Sequence, residues 1–408
     1  MGYSVVLGNR KFTALLVGQV ISLLGDVILT AALSWFVFAL EGTATAISYL
    51  AIATLLPNLI FSLFAGVVVD RSNRRRLMIA SDVTRCFALI LIPIVYRLGG
   101  LTLTLLYAIV FVWSSASAFF VPARSAIIPQ IFQDKDQLTT ANSLMNGCFE
   151  ATRLIGYGIS GVFIILFTSV GAASFDSLAF AVSAISIVAM GSIAAPLRVK
   201  REKQSVLGVF HHDLSEGLAY VWKNFVIRIV LFTAMLGNFF IGIGYGFVVV
   251  YANDALHTNA VGYGVLLAAN TVGTVVGSLL VGKVKFRQHL GMTLILSNLL
   301  MGGAVITLSL QTQLTAAIPL QALFGLSIAI YNVNYVNMLQ ATVPNEILGR
   351  VMSLDQVISY AILPLSLAIG GPLVDMIGIR AAYLLSGGML ALIGATTLIP
   401  SEYRKYSY

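Results

Sequence analysis

Charge is the scarcest property of this 408-residue chain: only 10% of its residues are Asp, Glu, Lys or Arg. A water-soluble protein carries about 25%, so an ordinary soluble domain is excluded and most of the surface faces lipid. Cysteine is nearly as scarce. Cys86 and Cys148 lie in or beside apolar runs, which leaves no disulfide framework and no cysteine metal spacing. His211 and His212 fall in a polar segment, where a solvated pair is the ordinary reading and a metal site the weaker one. No nucleophile–base arrangement of recognisable spacing is present, so neither an enzyme nor a bound cofactor is expected. The stretch Gly277-Ser-Leu-Leu-Val-Gly282-Lys283-Val284 nearly matches a phosphate-binding loop. It lacks the terminal hydroxyl that would hold magnesium and follows an apolar helix, not a strand. ATP is therefore not the expected direct energy source.

What the chain has in abundance is hydrocarbon: 58% of residues are hydrophobic and the mean hydropathy is +0.93. A spanning helix needs roughly 20 apolar residues. Twelve such runs can be read, at about 12–39, 46–69, 77–97, 101–121, 140–169 and 172–195 in the first half, then about 225–251, 260–282, 290–310, 314–339, 351–371 and 379–399 in the second. The first run is too long for a cleavable leader and lacks a small-residue cleavage site, so it reads as the first spanning helix. The expected fold is an all-α membrane protein of twelve transmembrane helices in two six-helix pseudo-symmetric bundles, 1–195 and 225–408. Residues 196–224 form a cytoplasmic linker between them. Apolar and charged residues alternate at helical spacing through its second part, which predicts an amphipathic helix on the inner membrane surface.

The net charge of +8 does not point to nucleic acid, because the basic residues fall between apolar runs. With the N-terminus inside, nearly all loop Lys and Arg lie on the inner side, and only Arg97 and Arg380 lie outside. That asymmetry predicts both termini in the cytoplasm. The halves form a weak repeat. In each, a Pro-containing inner segment leads into the fifth run and ends in Ser-Leu, at Ile128-Pro129 to Ser143-Leu144 and at Val343-Pro344 to Ser353-Leu354. A binding site between two repeats is the expected consequence.

Between the second and third runs stands Gly66-Val-Val-Val-Asp70-Arg71-Ser-Asn73-Arg74-Arg75-Arg76. This resembles the Gly-x-x-x-Asp-Arg-x-Gly-Arg-Arg loop of the major facilitator superfamily of transporters. Asn73 replaces the usual glycine, and asparagine tolerates the left-handed backbone better than other side chains. Further stretches narrow the resemblance: Asn9-Arg10-Lys11-Phe12, Gly18-Gln19 to Gly25-Asp26, Pro122-Ala123-Arg124-Ser125, Ala141-Asn142-Ser143-Leu144, and Val343-Pro344-Asn345-Glu346 with Gly349-Arg350-Val351. In order and spacing they resemble the drug:proton antiporter branch that contains macrolide-efflux proteins and the enterobactin exporter, over nearly the whole chain. Two features depart from that branch. The fourth run lacks the buried arginine of many proton-coupled exporters, and the antiporter motif survives only as Gly156-Tyr157-Gly158-Ile159-Ser160-Gly161.

Ionisable side chains inside the hydrocarbon are costly and mark transport pathways by default. Gln19, Ser22, Asp26 and Thr30 share a narrow arc of the first helix at about 100° per residue. Burial penalises the charged form of a carboxylate, so Asp26 is the first proton carrier to consider; a structural hydrogen-bonding role is the alternative. Asn142, Asn146, Glu150 and Arg153 share an arc of the fifth run. Glu150 and Arg153 can pair at i, i+3, either as a proton-sensitive pair or as a permanent salt bridge. Asp82 and Arg85 repeat that spacing and read as part of a gate network with Gly66, Asp70, Arg71, Arg74 and Arg75. The resemblance implies that Asp70 faces the start of the eleventh helix, where Asp355 is a further candidate for the network. Asn238, Tyr245, Asn270, Asn334, Tyr335 and Tyr360, with Gln19, Ser22 and Asn146, are the candidate walls of a substrate cavity, and several of them can equally be helix-to-helix glue.

The resemblance implies a proton-coupled exporter of lipophilic or amphipathic small molecules, a monomer in the plasma membrane of a prokaryote, with a small-molecule substrate, protons and the lipid bilayer as partners. A lipid or siderophore transporter of the same fold, an importer, and a membrane receptor or scaffold without transport stand as alternatives.

Overall fold

The computed structural model describes residues 3–191, 206–283 and 289–399. Of the positions singled out above, the side chains of Asp70, Tyr360, His211 and His212 lie outside those described, as do residues 196–205 of the linker. The elements are α1 (Tyr3–Leu7), α2 (Arg10–Glu41), α3 (Ala44–Arg71), α4 (Arg74–Arg97), α5 (Leu103–Ile131), α6 (Lys135–Ala189), α7 (Val206–Lys223), α8 (Phe225–Gly244), α9 (Val248–Val250), α10 (Ala260–Lys283), α11 (Leu290–Ser309), α12 (Leu314–Thr342), α13 (Asn345–Ile377) and α14 (Ile379–Thr396). A 3₁₀ turn at Tyr245–Phe247 and a π-turn at Tyr251–Ala255 carry α8 on through α9.

Eleven helices among the described residues are long and apolar enough to cross a membrane. One of them, α6, has 55 residues and breaks at Thr168, whose φ of 63° and ψ of 164° leave the helical region. The Thr168 hydroxyl accepts from the Gly171 amide at 3.3 Å, which caps the second arm. Counting the two arms gives twelve spans, and the fifth and sixth apolar runs are joined by this kink with no loop between them. In lipid every backbone polar group must be satisfied within the protein, which is why apolar runs of this length close into helices. Short polar side chains start them. Asn73 accepts from Arg76 N at 3.1 Å, Asp134 from Gln137 N at 2.9 Å, and Asn224 from Ile227 N at 3.1 Å. Asn73 therefore works as an N-cap in an extended conformation, with φ −73°. The left-handed turn expected of it is not formed, because the extended residue closes the turn with its side chain on Arg76 N and its carbonyl on Leu77 N at 2.9 Å.

The chain divides into two compact units. The first holds Met1–Leu40 and Tyr49–Lys200, and the second holds Glu41–Ser48 and Arg201–Tyr408. In the first, α4 packs on α5 and α6. A core of Phe12, Leu15, Met78, Phe120, Ala123 and Ile127 fills one end. In the second, α10 packs on α12, α11 on α12 and α14, and α13 on α8. Gly273 and Gly277 bring α10 against the α12 backbone at Ala322 and Leu326, where any Cβ would collide. This is small-residue packing of the kind that holds helices together in lipid. The linker helix α7 docks on α13, with Glu216 paired to Arg350 at 2.6 Å.

Candidate functional site

In the first unit the charged residues gather inside the helices. Asp82 and Arg85 of α4 are 0% and 4% exposed and pair with one another. The second carboxylate oxygen of Asp82 accepts from the Ser183 hydroxyl at 2.7 Å. The Arg85 guanidinium lies between two rings of α5 and α6, 4.2 Å from the centre of Phe120 and 4.1 Å from Phe180. Aromatic faces attract a cation and are cheap to bury beside one. Gln19 of α2 donates to Ser183 Oγ at 3.2 Å and accepts from Arg124 Nη1 at 3.2 Å. Ser22 is bonded back to the Gln19 carbonyl. Asp26, one turn further along α2, has Oδ1 shut off from solvent without a hydrogen-bond partner. It lies within electrostatic reach of Arg85, Asp82 and Arg124.

This arrangement revises two expectations and adds one residue. Asp82 and Arg85 belong to an interior cluster with Asp26, well removed along α4 from the gate arginines at its first residues. Arg124 lies inside the helix of the fourth run, which continues to Ile131, so that run does contribute a partly buried arginine, stacked 4.9 Å over Phe149. Asp176 on α6 was missed. It is 0% exposed, and neither carboxylate oxygen has a hydrogen-bond partner. It is the lone ionisable residue of the sixth run, a signal that the intramembrane-charge argument would have caught. Three carboxylates (Asp26, Asp82, Asp176) thus face two guanidiniums (Arg85, Arg124), an excess of one negative charge. An isolated buried charge is very costly, and a carboxylate in that position escapes the cost by taking a proton.

The Glu150–Arg153 pair forms as the spacing predicts, at 2.9 Å, but its side chains are 47% and 49% exposed. Asn146 is exposed. The gate arginines fasten the first unit together. Arg74 donates to the Ala126 carbonyl at 3.1 Å, and Arg75 donates to the Ile187 and Val188 carbonyls at 3.0 and 2.7 Å. Arg75 thereby satisfies the last turn of α6, where free carbonyls and the helix dipole favour a cation. Gly66 and Arg71 are exposed.

The second unit contains a cavity of about 340 Å³, within the size range of small-molecule sites. Helical spacing builds each wall. Gly237, Asn238 and Ile241 come from α8, Asn298 and Met301 from α11, and Ile328, Tyr331, Asn332 and Tyr335 from α12. Asp355 and Ser359, one turn apart on α13, close it. The Tyr335 hydroxyl donates to Asp355 Oδ1 at 2.5 Å, and the Tyr331 and Tyr335 rings stack at 5.9 Å. Of the wall residues expected from the sequence, Asn238 and Tyr335 line this cavity. Asn334 does not, because it is turned into the helix packing and bonds the Ile330 carbonyl. Asn270 is packed between α10 and Gly325, and Tyr245 lies against the Phe324 ring at 4.3 Å. Asp355, expected at the gate, faces the cavity.

The chain has counterparts over nearly its whole length. It is 25% identical to the multidrug efflux pump Tap of Mycolicibacterium fortuitum over 93% of both chains. It is 26% identical to macrolide efflux protein A of Streptococcus pyogenes over 97% of both. Among solved structures it is similar in fold to the nucleoside transporter NupG, with a TM-score of 0.74 at 11% identity over 95% of this chain and 98% of that one. It is likewise similar to a bacterial homologue of the iron transporter ferroportin in an inward-facing state, with a TM-score of 0.72 at 12% identity over 95% and 98%. The protein is a multi-pass transporter of the plasma membrane with a small-molecule substrate, and not an enzyme. The model of the transmembrane secretion effector family matches residues 5–406, and the chain belongs to that family of the major facilitator superfamily.

Proposed function

We propose that this transporter exports lipophilic or amphipathic small molecules in exchange for protons, by alternating access, in the plasma membrane of a prokaryote with both termini in the cytoplasm. The observation that carries the reading is the excess carboxylate buried among α2, α4, α5 and α6, with Asp26 Oδ1 and both oxygens of Asp176 left without partners. Such a cluster is more stable with one proton added, and a transporter that alternately opens it to each side of the membrane would carry that proton across. Asp26 is the first carrier, with the Glu150–Arg153 pair as the second candidate. The efflux activities named for the relatives support the direction and the type of substrate.

The energetics suffice without ATP. One proton crossing about 150 mV supplies roughly 3.5 kcal/mol, at about 2.3 per 100 mV. At about 1.4 kcal/mol per tenfold, that sustains a gradient of a few hundredfold for a neutral substrate.

The test uses proteoliposomes with an imposed pH gradient and a pH dye inside. Lipophilic dyes and macrolide-like compounds are added to the parent and to Asp26→Asn. Substrate-induced proton movement in the parent that disappears in the variant is expected. Movement persisting unchanged in the variant removes Asp26 as carrier, and no movement with any compound in the parent overturns proton exchange.

A further inference from the structure

Asp355 brings a negative charge into a cavity whose described lining offers no cation to balance it. The α11 and α12 walls contain no Asp, Glu, Lys, Arg or His. On α8 the lone charged residue is Arg228, ten positions before Asn238, and it is bonded to the Trp222 carbonyl and held over the Trp222 and Phe225 rings. On α13 the nearest cation, Arg350, is paired with Glu216. Among the described residues Asp355 enters no ion pair, and its partner is the neutral phenol of Tyr335. A phenol satisfies one oxygen of a carboxylate and leaves its charge in place. Beside it stand two stacked tyrosine rings, whose faces attract cations. Asn238, Asn298 and Asn332 supply amide groups, while Ile241, Met301 and Ile328 give an apolar floor.

We propose that this cavity is a subsite for organic cations: the positive head of the substrate sits against Asp355 and the tyrosine faces, and its apolar body lies along Ile241, Met301 and Ile328. The proposal rests on the small-molecule export reading and names its substrate class. It makes Asp355 a specificity-determining residue. A neutral amphipathic compound would enter the same cavity without the ionic contact.

The experiment is equilibrium binding to the purified full chain in neutral detergent at fixed pH, with no membrane gradient. The probes are methyltriphenylphosphonium, a permanent cation, and triphenylphosphine oxide, a neutral compound with the same three rings on phosphorus. The expected preference for the cation is about tenfold or more, the difference made by one charge-assisted contact. Asp355→Asn should abolish the preference, and Asp355→Glu should retain it. Equal affinity for both probes in the parent overturns the proposal, as does an Asp355→Asn variant that keeps the preference or weakens both probes equally. Should Asp355→Asn fail to fold, Asp355→Ser replaces it, and the parent comparison still decides. Because binding here needs no proton gradient, failure of this test leaves proton-driven transport of neutral compounds standing. Failure of the gradient experiment likewise leaves this binding result intact.

Discussion

Gly25 of α2 packs directly against the carboxylate of Asp176 on α6, so closely that a methyl group at position 25 would occupy the space of Oδ1. The residue beside Asp26 is thus the one that lets the second unpartnered carboxylate approach the first helix. Gly25→Ala should force α2 and α6 apart. Overpacking a tight interior site costs about 1–3 kcal/mol, and the expected result is a lower thermal midpoint of the purified protein together with weakened proton movement. A midpoint equal to the parent's would mean that the contact yields without cost.

Asp176 itself gives a sharper expectation, because stability and function should move in opposite directions. A buried polar group without partners destabilises the fold, and Asp176→Asn removes the charge while keeping the shape. The variant should be at least as heat-stable as the parent, yet release fewer protons per substrate in the proteoliposome assay. If proton movement were unaffected, Asp176 would be a structural residue and the excess charge would have to be settled at Asp26.

Arg85 is held by three separate contacts: the Asp82 carboxylate and the faces of Phe120 and Phe180. Lysine keeps the charge but loses the planar surface that lies between the rings. Arg85→Lys should therefore destabilise, and Arg85→Met should do so by more, about 3–5 kcal/mol, because it leaves Asp82 as an uncompensated buried charge. The double variant Arg85→Met with Asp82→Leu should recover much of the loss. A denaturation series on the parent, Arg85→Met, Asp82→Leu and the double variant checks this, and strict additivity of the two single effects would refute the pairing.

The fold was legible because apolar length and loop charge are one-dimensional signals: the runs at 77–97 and 290–310 reappear as α4 (Arg74–Arg97) and α11 (Leu290–Ser309). The site was legible only where a helix carries its own periodicity. Gln19, Ser22 and Asp26 on α2 lie about one turn apart, so their shared face could be read from spacing. Which helices meet across that face could not. Asp176 gains its meaning from Gly25 and Asp82, and Asp355 from Tyr335 and Asn238, all contacts between distant segments. Asn334 illustrates the reverse. A polar residue in an apolar run looks like a cavity wall, yet here its amide is spent on its own helix at Ile330.

Glu150 and Arg153 supply the last test, because spacing and exposure pull their reading in different directions. The pair is made at 2.9 Å, but each side chain keeps about half of its surface open. Exposed ion pairs are worth about 0–1 kcal/mol, so this pair contributes little to the fold. Glu150→Gln should shift the thermal midpoint little and leave substrate-induced proton movement close to the parent level, while Asp26→Asn abolishes it. The reverse pattern, with movement lost in Glu150→Gln and kept in Asp26→Asn, would transfer the carrier role to the first arm of α6 and leave the buried cluster as a structural core.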